Sequence, residues 1–503
     1  MNGSTMSDGS LLELVPQAQL ELQHVPIVVR NRRDTLPTYR FQRPPRIQDL
    51  QQLKGLWSIW QENQTLILTD EPAVHGIGLL VYHDPDTSSI RCVTLGDSRC
   101  FWFSSGSLHC TIIGKSDHAI AETAAVLWDL DTDSRFREVR CWNEHFNFGV
   151  FSTQQLALLF RNSPMMEITL EVSNISAAQS EFLAQMPFPI SLTLEDSLHS
   201  FSDCGHAFVN KLLRRDSPFG SLKLWKVEET QNDMFQRLLK ARTVQYLELG
   251  YATPQQIVQL LSASSKGVGF AMKVEDSLQL DWSRVDIVPK ELNVELSYRE
   301  IEAHIVFMCS FFRRLAELEH LKKFGVTIFR ELHAIIPSIV FNELLSTVAA
   351  NHSLEELHLQ YAHNQPVEHR ELLFAMMECH AGLRRFQSPE TFDPGYTMLK
   401  QLLNRNRFIE VLDRHGNRVT DGDEIDQIYR FNRFYQDCQG LKRGALSLLP
   451  PLVGEVLVGS ASGDYQQSAF LMANYTDALC ELVQYSSLFQ LEEHDSSYPE
   501  ELM

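Results

Sequence analysis

Short stretches with apolar residues at alternate positions recur along the chain. The clearest runs from Leu354 to Leu359, and similar stretches run from Val244 to Leu249, from Met165 to Leu170 and, more weakly, from Pro189 to Leu194. Alternation of this kind is typical of a strand that buries one face. Each stretch therefore predicts a short strand with one face against a core.

The same register predicts ten strands at intervals that average about 27 residues, inside the range of roughly 20 to 29 that is typical of leucine-rich repeats. The last core-facing positions of these strands, the tenth of them degenerate, are Cys141, Leu170, Leu194, Leu224, Leu249, Met272, Leu296, Ile328, Leu359 and Ser388.

Helical apolar stripes precede six of these strands and end 10 or 11 residues before the core-facing positions. In the segment before Leu359, the doublet Leu344-Leu345 is followed four residues later by Val348-Ala349, as one face of a helix requires. Thr253 is a predicted N-cap and Pro254 fits the first turn of the next helix, while Pro337 is a candidate to open another. The pattern predicts helix and strand in regular alternation.

A single helix-strand unit cannot bury its apolar stripe, so neighbouring units must stack. Over residues 117–413 the chain resembles leucine-rich-repeat proteins of the ribonuclease-inhibitor type. The resemblance implies an α/β horseshoe solenoid, with a parallel sheet on the concave side and helices on the convex side. The chain departs from that family at the places where an asparagine or cysteine ladder is expected, which are Glu144, Ser173, Ser197, Val227, Ala252, Glu275, Arg299, Glu331, Ala362 and Thr391.

Composition and turn signals predict what flanks the array. Residues 1–45 are expected to be a disordered basic arm. Residues 46–116 should form a small antiparallel β module that serves as an N-terminal cap, with strands at 76–82, 90–95, 100–103 and 108–113. We expect a helical C-terminal cap over 414–488 and an acidic tail over 489–503.

Charge and cysteine usage narrow the classes of partner and compartment. Lys and Arg number 44 against 64 Asp and Glu, a net charge of -20, which argues against nucleic acid and anionic membranes as partners. The nine cysteines form no CxxC pair, and no basic start with an apolar run opens the first thirty residues. We therefore expect an intracellular protein of the cytoplasm or nucleus.

The sequence motifs that would indicate nucleotide binding or metal binding are incomplete. Gly114-Lys115-Ser116 lacks the glycine that a phosphate loop needs five places earlier, where His109 stands. His199, Cys204 and His206 do not reach four ligands in a recognised spacing. We predict no catalytic residue, cofactor or metal; an enzyme using His109, Lys115 and Asp117 in the β module is kept as an alternative.

The remaining candidate is the concave sheet face, where side chains between the apolar positions meet solvent. We predict a non-catalytic protein-interaction scaffold whose partner is another protein with a basic surface. A second interpretation is a substrate-recognition subunit of a ubiquitin ligase, with Leu449-Pro450 as part of an F-box-like segment. The predicted partner-binding residues are Arg140, Trp142, Glu171, Glu195, Trp225, Glu248, Glu295, Phe329 and His358.

Overall fold

The chain divides into two compact units, unit 1 (Met1–Ser297) and unit 2 (Tyr298–Met503). Both are α/β in the computed structural model. The structure describes residue 469 and residues 11–441, with gaps at 20–26, 31, 36, 54–56, 70–73, 77–78, 85–88, 95–98, 106–107, 131–135, 142–145, 161–165, 299–301, 331–335, 362–366 and 388–394.

The first part of unit 1 contains eleven strands in the described residues and one short helix, α1 (Ile47–Gln51). The strands are β1 (Leu12–Leu14), β2 (Ile27–Arg30), β3 (Arg32–Thr35), β4 (Thr38–Phe41), β5 (Trp57–Trp60), β6 (Leu66–Thr69), β7 (Val74–Gly76), β8 (Leu79–Asp84), β9 (Ser89–Thr94), β10 (Arg99–Ser105) and β11 (His109–Gly114).

These strands belong to two sheets. A five-stranded antiparallel sheet has the order β3-β2-β9-β8-β7. The other strands pair in the order β1-β4-β5-β6-β11-β10, and all these pairings are antiparallel except that between β4 and β5. Strands at the four positions predicted for residues 46–116 are thus present, but split between two sheets. Strands β1 to β4 lie within residues 1–45, where we predict a disordered arm. The sequence pattern misses them because short strands can pair through their backbones without a long apolar alternation.

The second part of unit 1 is a parallel array in which helices alternate with strands. Its strands are β12 (Phe136–Arg140), β13 (Glu167–Glu171), β14 (Ile190–Leu194), β15 (Gly220–Lys226), β16 (Val244–Tyr251), β17 (Gly267–Lys273) and β18 (Glu291–Tyr298). Its helices are α2 (Asp117–Leu130), α3 (Thr153–Leu159), α4 (Ala177–Ala184), α5 (His206–Leu213), α6 (Asn232–Leu238), α7 (Pro254–Leu261) and α8 (Val274–Ser277).

The predicted register of this array is confirmed over four neighbouring strands. It is wrong by two residues at two places, because Val139 rather than Cys141 pairs with Leu170, and Phe270 rather than Met272 pairs with Leu249. Strands β12 to β18 pair in sequential order, and Leu170, Leu194, Leu224 and Leu249 are direct neighbours across the sheet. Strand β10 joins the array by pairing antiparallel with β12. The chain therefore contains a long, mostly parallel sheet with alternating helices, as a repeat solenoid does.

Unit 2 continues with the same alternation. Its strands β19 (Lys323–Arg330), β20 (Glu356–Tyr361), β21 (Arg385–Gln387) and β22 (Glu410–Leu412) are parallel and in sequential order. Strand β22 goes beyond the ten predicted strands, because Asp413 stands where the apolar register would continue. The helices are α9 (Glu302–Ala316), α10 (Ser338–Ala350), α11 (Val367–Cys379), α12 (Thr397–Arg405) and α13 (Glu424–Leu441).

Alternation of burial defines the two faces of the unit 1 array. In β13, Ile168 and Leu170 are buried, whereas Thr169 and Glu171 are partly exposed. Right-handed crossovers between sequential parallel strands place all the helices on one face, which is the buried one. The other face of β12 to β18 carries the partly exposed residues, and we call it the polar sheet face.

An aromatic cluster fills the core at the first repeat. The Trp128 indole of α2 stacks on Phe151 with ring centroids 4.9 Å apart, and Phe101 of β10 packs against Phe146 at 5.2 Å. All four side chains are buried. Burial of each ring stabilises the fold by roughly 1.5–3 kcal/mol, so β10 and α2 supply the wall that the first repeat lacks.

Glutamine side chains tie neighbouring repeats of unit 1 together. As predicted, Thr253 caps α7 and Pro254 opens it, and Gln256 completes a capping box. The buried Gln256 amide also donates from Nε2 to the Val227 carbonyl oxygen at 2.8 Å, in the preceding repeat. Gln179 makes the same combination of capping box and inter-repeat bond, donating to the Phe151 carbonyl at 2.7 Å. These amides replace part of the missing ladder.

Two further findings concern the whole described part of the chain. Within it, no helix has both the length and the apolar character needed to cross a membrane. Cys100, Cys110 and Cys309 are buried free thiols.

Candidate binding surface

The polar sheet face of unit 1 is built from rows of side chains that parallel pairing places next to each other. Neighbouring strands lie about 4.8 Å apart, so side chains in one row contact each other directly. Lys223 and Glu248 in the central row form an ion pair at 2.6 Å. The whole central row, from β12 to β18, is Glu138, Thr169, Thr193, Lys223, Glu248, Gly269 and Asn293.

Arg140 begins the next row, towards the carboxyl ends of the strands. Its guanidinium donates to Glu138 and lies 3.2 Å from a carboxylate oxygen of Glu171. It also lies over the buried Trp102 ring, 5.2 Å from the centroid. These contacts hold Arg140 in place within the sheet face.

Two predicted carboxylates on this face lack such a partner. Among the described residues, neither Glu195 nor Glu295 has a cation within 4 Å. Burial raises the pKa of Glu195 and of Glu295 above the ordinary value, although Lys223 acts in the opposite direction on both. Burial likewise raises the pKa of Glu171. A partly desolvated carboxylate without a close counter-ion gains from a cation that arrives with a partner.

An exposed aromatic pair ends the face at β15 and β16. The Trp225 indole and the Tyr251 ring are 45% and 43% exposed and meet edge to face with centroids 5.7 Å apart. The ammonium of Lys273 lies 5.8 Å from the Tyr251 centroid. A Cβ on Gly250 would come within 2.9 Å of the Trp225 ring, so glycine is required for the indole to lie on the strand.

Tyr246 is a feature that the sequence analysis missed. Its ring lies along β17 over Gly267 and Gly269, where an added Cβ would be 2.6 Å and 2.5 Å from Tyr246 atoms. Burial raises the pKa of Tyr246, and its hydroxyl bonds with Asn293. The glycine spacing in β17 is the sequence signal for this ring, because two glycines on the solvent face of one strand leave room for a side chain from the next.

A cleft of about 260 Å³ opens beside Tyr246 at the amino-terminal ends of the strands. Its floor includes Ser191 and Ser221, whose hydroxyls are 2.6 Å apart. Glu291 lines it as well and pairs with Lys266 at 2.6 Å. The cleft has the dimensions for a side chain of another molecule rather than for a large cofactor.

Phe329 and His358 belong to the sheet of unit 2. Phe329 is exposed on β19, and His358 lies on β20 between Gly325 and Gln387, where burial lowers its pKa. An alternating row of charges crosses the same sheet, with Glu356 3.0 Å from Lys323 and 3.3 Å from Arg385. Unlike the carboxylates of unit 1, Glu356 is matched on both sides.

Of the nine predicted residues, six lie together on the unit 1 sheet and two on the unit 2 sheet. Trp142 falls outside the residues that the structure describes, as do Leu449 and Pro450 of the F-box-like segment. The sequence thus locates the charged and aromatic members, and it misses Tyr246 and Tyr251.

The residues of the alternative enzyme site are not brought together. His109 bonds through Nδ1 to the Ser104 hydroxyl at 2.6 Å, at the start of β11. Lys115 and Asp117 follow the other end of that strand, about 20 Å away in an extended chain. Asp117 pairs there with Arg99. Over the described residues, no three His, Cys, Asp or Glu side chains are arranged to hold a metal ion.

Comparison with protein families and with curated proteins adds no relative. No protein-family model matches the chain, and no curated protein resembles it significantly.

Proposed function

We propose that the protein is a binding scaffold that grips another protein on the polar sheet face of unit 1. In this proposal the array is a horseshoe of irregular leucine-rich-type repeats, with the sheet on its concave side. The observation that supports it most is the Trp225–Tyr251 pair, because exposed aromatic rings beside charged groups are the usual anchors of protein interfaces.

The charge of the face indicates a partner with a basic surface. Arg140, Lys223 and Lys266 are each engaged by carboxylates of the same face. Glu195 and Glu295 remain for a partner's lysine or arginine, because among the described residues no cation lies within 4 Å of either and burial raises the pKa of both. Pairing with a cation would relieve that cost and would steer a basic partner to this surface.

The test compares the proteins that co-purify with the full chain and with three single variants. Trp225→Ala should weaken binding of the partner by about thirtyfold or more, since truncating an aromatic anchor costs roughly 2 kcal/mol. Glu295→Lys should also weaken it, because it places a positive charge opposite a basic surface. Quantitative mass spectrometry of the recovered proteins measures both effects.

Leu213→Ala is the matched control. The exposed fraction of Leu213 is 39%, similar to the 45% of Trp225. Leu213, however, ends α5 on the helix side of unit 1. The control should recover the same proteins as the wild type, and circular dichroism should show all variants folded. Recovery of an identical set of proteins with Trp225→Ala, Glu295→Lys and the wild type would exclude this face as the binding surface.

A further inference from the structure

Unit 2 contains a cleft of about 570 Å³ whose walls are rich in arginine. It lies where β21 and β22 meet α13. Five arginines and two carboxylates line it, an excess of three positive charges, in a chain whose net charge is -20. Its charged lining residues are Arg384, Arg385, Arg418, Arg430, Arg433, Glu410 and Asp426.

Aromatic rings position two of the guanidinium groups. Arg384 lies over Phe408 with its Cζ 4.8 Å from the ring centroid, and Arg418 lies over Tyr429 at 4.9 Å. The Tyr429 ring is itself held, because its hydroxyl accepts from the Val411 amide at 3.2 Å. Stacking fixes each guanidinium plane. Arg384 donates from Nη1 to the Ala381 carbonyl at 2.8 Å, so the other N–H groups of its guanidinium are the ones that would bind an anion.

Carboxylates compensate only part of this arginine set. Arg385 lies 3.3 Å from Glu356 and 3.8 Å from Glu410, whereas Asp426 accepts a hydrogen bond from the Thr420 hydroxyl at 2.7 Å. Among the described residues, the exposed Arg430 and Arg433 have no carboxylate within 4 Å. Both side chains line one cleft, about one helical turn apart on α13.

We propose that this cleft binds a small ligand bearing two or more phosphate groups. Arginine presents several donors in a planar fork that matches phosphate oxygens, and charge-assisted bonds of this kind are among the strongest hydrogen bonds in proteins. A phosphate monoester places nearly two negative charges on one group, so two such groups compensate the excess in a cleft of this size. Separate carboxylates along a peptide carry less charge in the same volume, so they compensate the arginines less well.

The test is calorimetric titration of the full chain with inorganic tripolyphosphate. We expect saturable binding that weakens as salt concentration rises. The double variant Arg430→Gln/Arg433→Gln should weaken it by at least about tenfold, because each arginine supplies charge-assisted bonds. These side chains are exposed, so the variant is expected to fold.

Arg242→Gln/Arg284→Gln is the matched control, since it removes two exposed arginines of unit 1 and changes the net charge equally. It should bind as the wild type does. Absence of binding by the wild type, or equal weakening in both double variants, would overturn the proposal. Tighter binding of an acidic peptide of residues 489–503 than of tripolyphosphate would also overturn it, because the site would then select carboxylates.

Competition experiments distinguish two sources of the same chemistry. Displacement of tripolyphosphate by a soluble inositol polyphosphate, but not by vesicles containing a phosphoinositide, supports a free small molecule. Displacement by the vesicles supports a lipid headgroup that reaches the same arginines.

Discussion

Units 1 and 2 contain the same helix-strand repeat, but different side chains bind the carbonyl groups at the ends of its helices. In unit 2 the residue after each of three helices donates to the end of the preceding helix. Asn351 donates to Leu315, and Asn406 donates to Met377 at 2.9 Å. His380, between them, lies 3.2 Å from the Val348 carbonyl through Nε2 and accepts the Leu383 amide at Nδ1.

Unit 1 meets the same requirement irregularly. The buried Arg137 donates to the Leu159 carbonyl at the end of α3. Arg215 donates to Ala184 at 2.7 Å, and the Thr243 hydroxyl donates to Leu212 at 3.1 Å. The donors differ in type and in distance from the strand, whereas the acceptors are always at or near helix ends.

The difference shows that the constraint acts on the carbonyl group and not on the residue that binds it. The last carbonyls of every helix lack partners within the helix, and a buried one must find a donor elsewhere. Any side chain with an N–H or O–H that reaches will serve. Repeats can therefore keep their geometry while losing the ladder residue by which such families are usually recognised.

The largest expected effect comes from breaking the regular ladder of unit 2. Asn406→Ala should lower the free energy of unfolding by about 2–3 kcal/mol, because it leaves the Met377 and His380 carbonyls without this donor in a buried site. Asn404→Ala, an exposed neighbour whose amide bonds within α12, should have little effect. Urea denaturation followed by circular dichroism measures both.

Fluorescence adds a second readout, because all seven tryptophans belong to unit 1, the last being Trp282. Asn406→Ala should move the midpoint seen by circular dichroism more than the midpoint seen by tryptophan fluorescence. Equal shifts in the two signals would show that the units unfold together, and the comparison between them would lose its energetic meaning.

A smaller effect is expected from unit 1. Gln256→Ala removes the bond to Val227 and half of the α7 capping box, which should cost about 1–2 kcal/mol. Here the fluorescence midpoint should move. The exposed Gln255 is the control, and Gln255→Ala should unfold like the wild type. An unchanged midpoint for Gln256→Ala would mean that the capping box and the Val227 bond are redundant.

The smallest expected effect is on the free energy of unfolding when one carboxylate is neutralised on the sheet of unit 1 or of unit 2. The folded-state pKa of Glu295 is raised, so its contribution to stability is present below the ordinary pKa and is lost as pH rises through the raised value. Glu295→Gln should therefore raise stability at neutral pH, by less than about 1 kcal/mol because solvent screens this half-exposed group.

The comparison variant is Glu356→Gln in unit 2, where the carboxylate is paired on both sides. It should destabilise slightly at neutral pH, opposite in sign to Glu295→Gln. Thermal melts at neutral pH and below the ordinary glutamate pKa test this, since the gain from Glu295→Gln should disappear in acid. A loss of stability for Glu295→Gln at neutral pH would show that this carboxylate is already compensated in the free protein.

The sequence by itself determined the repeating elements, because burial alternates every second residue in a strand and every third or fourth in a helix. It located strands through Leu170, Leu194, Leu224 and Leu249, and it located the cap of α7. It also indicated the charged face, since residues between buried strand positions must point away from the core.

Only the tertiary structure decided which distant groups meet. Asn351, His380 and Asn406 each precede a buried apolar residue by three places, yet their carbonyl partners are 26 to 36 positions away in sequence. The position of the Tyr246 ring over the β17 glycines depends in the same way on which strands are neighbours. The arginine cleft likewise depends on α13 lying beside β21 and β22. Local patterns report burial, whereas partners are chosen by the distance and direction that packing imposes.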